Sequence, residues 1–154
     1  MIVLVDTSVW IDYFRGTDIA EARVLDKLLD EESDLCICGP ILTEVLQGIR
    51  DDKQYARTKA MLNSLIYLPL KKARYVEAAA LYRNCRRHGE TVRSPIDCVI
   101  AACAIFSSVS LLHRDRDFEI IARRSSLRIY RSVQDALPGA PGPRLGRRPS
   151  GIAV

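Results

Sequence analysis

The chain has 154 residues, 48% of them apolar and 27% charged, with a formal net charge of +4. That length suits one domain with a real hydrophobic core, and the apolar content excludes a chain that is disordered throughout. The longest strongly apolar run, Cys98 to Phe106, is far shorter than the roughly 20 residues of a membrane-spanning helix, so no membrane association is expected.

Charge and cysteines narrow the class further. Beyond Pro138 the chain carries Arg144, Arg147 and Arg148 and no acid, so the body is close to neutral and shows no general nucleic-acid-binding surface. Five cysteines (Cys36, Cys38, Cys85, Cys98, Cys103) form no C-x-x-C pair, and His88 and His113 lie far from any paired thiols. Reduced core thiols in a cytoplasmic protein are therefore expected, rather than a zinc site or a disulfide framework. Met1 to Val5 lacks a basic leader and runs straight into Asp6, which predicts no secretory signal.

Taken in chain order, Ile2 to Val5 reads as a strand buried on both faces. Asp6-Thr7-Ser8 supplies capping side chains for a short helix through Phe14, which Gly16 ends. Glu21 to Asp30 has helical spacing, and Asp34 to Cys38 is a second buried strand closed by Gly39-Pro40. Ile41 to Ile49 and Lys53 to Leu62 are predicted helices, followed by the strand Ile66 to Leu68. Arg74 to Arg87 is a helix, and Ser94 as N-cap with Pro95 in the first turn opens another, nearly all apolar, through Phe106. Val109 to Leu112, Phe118 to Arg123 and Leu127 to Tyr130 complete the pattern as strand, helix and edge strand.

Strands alternating with helices predict an α/β domain: a central, mainly parallel sheet of about five strands covered by helices on both faces. The domain is expected over residues 1–137. Residues 138–154, rich in Pro, Gly and Arg with no periodic apolar pattern, are expected to be a disordered extension.

In such a sheet ligands bind beyond the carboxyl ends of the strands, and helices that follow strands begin there. Asp6 follows the first strand, and Asp115 and Asp117 follow the Val109–Leu112 strand. Glu44 falls in the first turns of the helix after the second strand, and Asp97 in the first turn of the apolar helix. All five acids therefore converge on one rim, provided that the two helices between Leu68 and Val109 bring Asp97 to it. Converging carboxylates repel one another and require a cation. An oxygen-only ligand set favours Mg²⁺ or Mn²⁺, and such ions commonly serve phosphodiester hydrolysis. Singly, each acid has a plainer reading: Asp6 as a cap, Asp97 as a first-turn acid, Asp115 and Asp117 as a loop self-paired with Arg114 and Arg116.

Four segments in this order, Val-Leu-Val-Asp-Thr-Ser-Val-Trp-Ile-Asp, Thr-Glu-Val-Leu-Gln-Gly, Ser-Pro-Ile-Asp-Cys-Val-Ile-Ala-Ala and Leu-Leu-His-Arg-Asp-Arg-Asp-Phe, resemble the PIN-domain ribonucleases. More closely, they resemble the VapC-type toxins of type II toxin–antitoxin systems. The resemblance implies a PIN-like three-layer α/β/α fold and a metal site formed by Asp6, Glu44, Asp97 and Asp115, with Asp117 assisting and Thr7 or Ser8 supporting the first acid. It further implies a Mg²⁺- or Mn²⁺-dependent endoribonuclease acting on RNA. Such a protein is a homodimer or a toxin–antitoxin hetero-oligomer, inhibited by a VapB-like antitoxin. Arg93, Arg114 and Arg116 flank the acids and either hold RNA phosphates or pair with the neighbouring carboxylates.

Trp10, Tyr13 and Phe14 could stack bases, although core packing is the commoner role for such a cluster. His113 could carry a proton, although a strand-end histidine is more often structural. The alternative to an enzyme is a catalytically silent RNA- or protein-binding module of the same fold, which the complete acid set argues against. Phospho-acceptor receivers and haloacid-dehalogenase-type phosphatases also place an Asp after the first strand. The first needs an adjacent acidic pair and the second Asp-x-Asp, whereas Asp6 is followed by Thr7-Ser8.

Overall fold

The computed structural model describes residues 2–131; the expected extension over 138–154 lies outside the described residues. Five strands, β1 (Val3–Val5), β2 (Leu35–Cys38), β3 (Ile66–Leu68), β4 (Ser110–Leu112) and β5 (Arg128–Ile129), form one sheet in the order β3-β2-β1-β4-β5. Every pairing is parallel. Seven helices connect them: α1 (Thr7–Arg15), α2 (Ala20–Asp30), α3 (Gly39–Gln47), α4 (Asp52–Asn63), α5 (Lys72–Arg87), α6 (Pro95–Phe106) and α7 (Arg116–Arg123). This is the three-layer α/β/α arrangement that the sequence pattern predicts.

The inner strands β1 and β2 are buried throughout and carry only apolar residues or cysteine, as expected for strands covered on both faces, and β4 departs from this only at half-buried Ser110. Val3, Leu4, Val5 and all of β2 are buried, while Ile66 and Tyr67 on the edge strand β3 remain exposed. Helix α6 lies deepest: Cys98 through Ala104 are all buried, as expected for a helix that is apolar all round. Trp10 and Phe14 are buried and stack with centroids 5.8 Å apart, so the aromatic cluster of α1 belongs to the core. The five cysteines are buried and free.

Two helix starts add detail to the expectation. β2 ends at Cys38 as expected, and the Gly39-Pro40 that closes it also opens α3, with Cys38 as the N-cap residue. Proline in a first turn loses no hydrogen bond, so the same dipeptide that ends a strand can begin a helix. Ser94 does stand at the N-cap of α6, yet its hydroxyl makes no capping bond there. Gly16 ends α1 as expected, adopting φ 67° in the left-handed region.

Strand order also fixes where a site can form. From β1 the chain steps outward through β2 to β3, crosses back to β4 on the other side of β1, and continues to β5. The reversal falls between β1 and β4, and the crevice beyond their carboxyl ends is the topological switch point of the sheet. The two strands run in register, Val5 opposite Leu112, and Asp6 N–H donates to Leu112 O at 2.9 Å. Asp6 and the segment from His113 to Asp117 thus leave the sheet side by side.

Candidate active site

Asp6 is the N-cap of α1 and is almost fully buried. Its Oδ2 accepts from Ser8 N at 3.1 Å and from Ser8 Oγ at 2.6 Å. Burial pushes its carboxyl above the usual range; the bonds from Ser8 oppose this, and the nearby Glu44 adds to it. Thr7 Oγ1 donates to Glu44 Oε2 at 2.6 Å, tying the start of α1 to the middle of α3. Both hydroxyls of the Asp6-Thr7-Ser8 segment therefore hold a carboxylate, one Asp6 and the other Glu44.

Asp97 occupies the first turn of α6, and Asp115 is the N-cap of α7, accepting from Asp117 N. One carboxylate oxygen from each of Asp97, Asp115 and Asp117 lies within 4.8 Å of the others. Asp97 is pushed up to about 7 from an ordinary 3.8. Burial is the leading cause, followed by the charges of Asp6, Asp115, Asp117 and Glu44. Three of the five acids foreseen for the rim, Asp97, Asp115 and Asp117, thus come close together, while Asp6 and Glu44 stand outside that group and reach Asp97 through their charge.

Arginine enters the cluster from one side. Arg93 N donates to Asp117 Oδ2 at 2.6 Å, its Nε to Asp117 Oδ1 at 3.2 Å and its Nη2 to Asp115 Oδ1 at 2.7 Å. Asp115 and Asp117 hold the guanidinium above its already high ordinary value. Arg114 turns away from the cluster and donates through Nη1 to Asp12 Oδ2 at 2.6 Å. Arg116 forms no ion pair with another described residue and stands between two clefts that both reach the acids. Of the three arginines singled out in the sequence, two are thus engaged with carboxylates and one is not.

Asp12 is a buried acid that the sequence reading left without a role. Its signal lay in its place among Trp10, Ile11, Tyr13 and Phe14, where a charge needs a partner, but nothing local names Arg114 as that partner. The pair anchors the residue next to Asp115 onto α1. His113 is buried against Phe118, with ring centroids 5.2 Å apart and Nε2 3.4 Å from Glu119. Burial holds its imidazole below the usual range, against the opposing charges of Glu119 and Asp6. Arg131 closes this side through two contacts to Glu119, at 2.9 and 3.1 Å.

The chain thus combines an all-parallel sheet with acids at its switch point, and the PIN domain family model matches residues 3–124. Ribonuclease VapC11 of Mycobacterium tuberculosis and VapC ribonuclease Mb1587 of Mycobacterium bovis are each 43% identical over 127 residues, covering 81% of this chain and 95% of theirs. Among solved structures, VapBC2 from Rickettsia felis, bound to a DNA fragment from its promoter, superposes with a TM-score of 0.66 at 17% identity, covering 84% of this chain and 98% of that one. VapC20 of Mycobacterium tuberculosis, a Sarcin-Ricin loop cleaving toxin, gives 0.60 at 19% identity, covering 82% and 98%. The chain belongs to the PIN-domain family and, within it, to the VapC ribonucleases.

Proposed function

We propose that this chain is a Mg²⁺- or Mn²⁺-dependent endoribonuclease, the toxin of a toxin–antitoxin pair neutralised by a VapB-like antitoxin. The curated relatives are named as VapC ribonucleases and the solved neighbours include VapBC complexes. The observation that carries the site is the cluster of carboxylate oxygens from Asp97, Asp115 and Asp117 within 4.8 Å of one another, with the Arg93 guanidinium against two of them. A divalent cation fits this donor set. The groups offered are carboxylate oxygens, the cysteines lie in the core, and His113 faces Glu119. Asp6, Glu44, Asp97 and Asp115 would hold it, with Asp117 assisting.

Such an ion, when bound, lowers the pKa of a water and offsets charge on the scissile phosphate. The chain's own groups act around that chemistry. Ser8 orients Asp6, and Thr7 orients Glu44, so both carboxylates are set before any substrate arrives. The Asp12–Arg114 pair fixes the segment that presents Asp115. Arg116, with no carboxylate partner, is placed to meet a phosphate oxygen of the RNA. No described helix is long and apolar enough to cross a membrane. We further propose that the protein works as a homodimer or as a hetero-oligomer with its antitoxin.

The decisive experiment incubates total RNA with the purified chain and Mg²⁺, with chelator and with Asp6→Asn, and maps the cut ends. Cleavage should need the metal and disappear in the variant. Wild-type cleavage by Asp6→Asn would remove the site, and no cleavage by any form would leave a silent binding module.

A further inference from the structure

The carboxylates that would bind a cation are already engaged by one. Arg93 meets Asp117 twice, through its main-chain N–H at 2.6 Å and through Nε at 3.2 Å, and reaches Asp115 through Nη2 at 2.7 Å. Two of the three clustered oxygens, those of Asp115 and Asp117, thus come from side chains paired with Arg93. We propose that Arg93 is a displaceable internal counter-ion, whose guanidinium holds Asp115 and Asp117 until a divalent cation takes them and then turns outward to an RNA phosphate. The inference rests on the metal-dependent reading above and adds to it the order in which the charges are exchanged.

Three features support exchange rather than a permanent clamp. First, the two attachments of Arg93 differ. The main-chain bond to Asp117 Oδ2 is short and fixes where the residue sits, whereas the Nε contact to Oδ1 is the longest of the three. The guanidinium can leave without moving the backbone, and it would free Oδ1, the Asp117 oxygen that the main chain does not hold. Second, the Arg93 side chain is 70% exposed while that of Asp117 is 2% exposed. Its charged end already stands at the mouth of the site. It lines a cleft of about 470 Å³ together with Arg116 and Arg123, and among the described residues its guanidinium pairs only with the two carboxylates. Third, a guanidinium fork matches a phosphate as well as a carboxylate, so losing one anion for another costs little in geometry. The metal-free cluster avoids full mutual repulsion by keeping this cation, and the substrate later offers the same fork an anion in the same place.

Mg²⁺ titration calorimetry on the metal-free full-length chain separates these possibilities. Arg93→Ala keeps the main-chain donor to Asp117 and should bind Mg²⁺ about tenfold more tightly than wild type, because the competing charge-assisted contacts are gone. Arg123→Ala removes the same charge from the same cleft, where Arg123 pairs with Glu90 rather than with the cluster, and should change affinity by about twofold or less. Equal effects in the two variants, or weaker binding in Arg93→Ala, would overturn the exchange. Absence of Mg²⁺ binding in all three proteins would overturn the metal reading along with it.

A second measurement follows the wild-type protein itself, and Arg93→Ala serves only to assign one resonance. The Nε–H resonance of Arg93, assigned by its loss in Arg93→Ala, should shift along the Mg²⁺ isotherm and shift again when dimethyl phosphate is added. A resonance unmoved by saturating Mg²⁺ would show a fixed clamp. Movement with Mg²⁺ but none with the phosphodiester would overturn the outward half of the proposal.

Discussion

Asp6 and Glu44 are held by hydroxyls, whereas Asp115 and Asp117 are held by a guanidinium, and this divides one acid cluster into two unlike halves. A hydroxyl donor orients a carboxylate but leaves its charge in place. A guanidinium orients it and cancels part of that charge as well. The hydroxyl half comes from consecutive residues at the start of α1, so the turn that follows β1 builds it locally, apart from the reach to Glu44. The guanidinium half joins the segment before α6 to the start of α7 and exists only once the chain has folded. Between them stands Asp97, pushed up to about 7 by burial and by the acids of both halves. One half is thus oriented by neutral donors, the other is paired with a cation, and Asp97 senses both.

Replacing the residue at the boundary should have the largest effect. Asp97→Asn removes one ligand oxygen and the charge that couples the halves, and should lower metal-dependent RNA cleavage by about 10³-fold or more, measured under single-turnover conditions. Far-ultraviolet circular dichroism should be unchanged, because the amide relieves repulsion rather than opening a cavity. A loss of less than about tenfold would place Asp97 outside the ligand set and leave the two halves uncoupled.

A smaller effect separates the hydroxyl half from the other. Ser8→Ala and Thr7→Ala each free a carboxylate from its orienting donor without changing any charge, and each should lower cleavage by about tenfold. Ser8→Ala should cost more than Thr7→Ala. Ser8 serves the more deeply buried acid, and the 2.6 Å bond to Asp6 opposes the effect of burial there. Equal rates for Ser8→Ala and wild type would mean that Ser8 N–H alone holds Asp6 and that the hydroxyl half is less rigid than its distances imply.

Much of this arrangement was legible in the sequence because it follows from strand ends. Asp6 after an apolar run, Asp115 and Asp117 after Leu112, and Pro95 two residues before Asp97 each mark where an element meets the carboxyl rim. Parallel pairing then brings them together, and the position of Asp97, which rested on the unknown path of two helices, is settled by α5 and α6. What the sequence did not show are choices among partners far apart in the chain. Arg93, Arg114 and Arg116 look alike beside the acids, yet one enters the cluster, one crosses to Asp12 on α1 and one stays unpaired among the described residues. Those choices depend on distances of a few ångströms in the folded chain, where no periodicity points. Gly39-Pro40 ends the strand as the sequence indicates, but the dipeptide is equally compatible with a first helical turn, so α3 begins two residues before the apolar stripe from Ile41.

The smallest expected effect is on stability, and it tests whether the two halves share one electrostatic field. In the metal-free chain Asp97 binds its proton up to about pH 7, whereas in the unfolded chain it releases it near 3.8. Between those values folding takes up a proton, so stability is greatest at the acid end of the window and falls as the pH rises through 7. Asp6, also raised by burial, contributes with the same sign. Asp97 is only partly buried, and after allowance for solvent screening the fall should be about 1 kcal/mol, or on the order of 3 °C in Tm between pH 5 and pH 8. Asp97→Asn should flatten most of that slope, leaving the smaller part due to Asp6, and should melt higher than wild type at pH 8. Millimolar Mg²⁺ should raise the wild-type Tm at pH 8 and leave the variant nearly unmoved. If the wild-type slope persists undiminished in Asp97→Asn, the repulsion is relieved elsewhere, and the hydroxyl and guanidinium halves act as separate sites rather than as one field converging on Asp97.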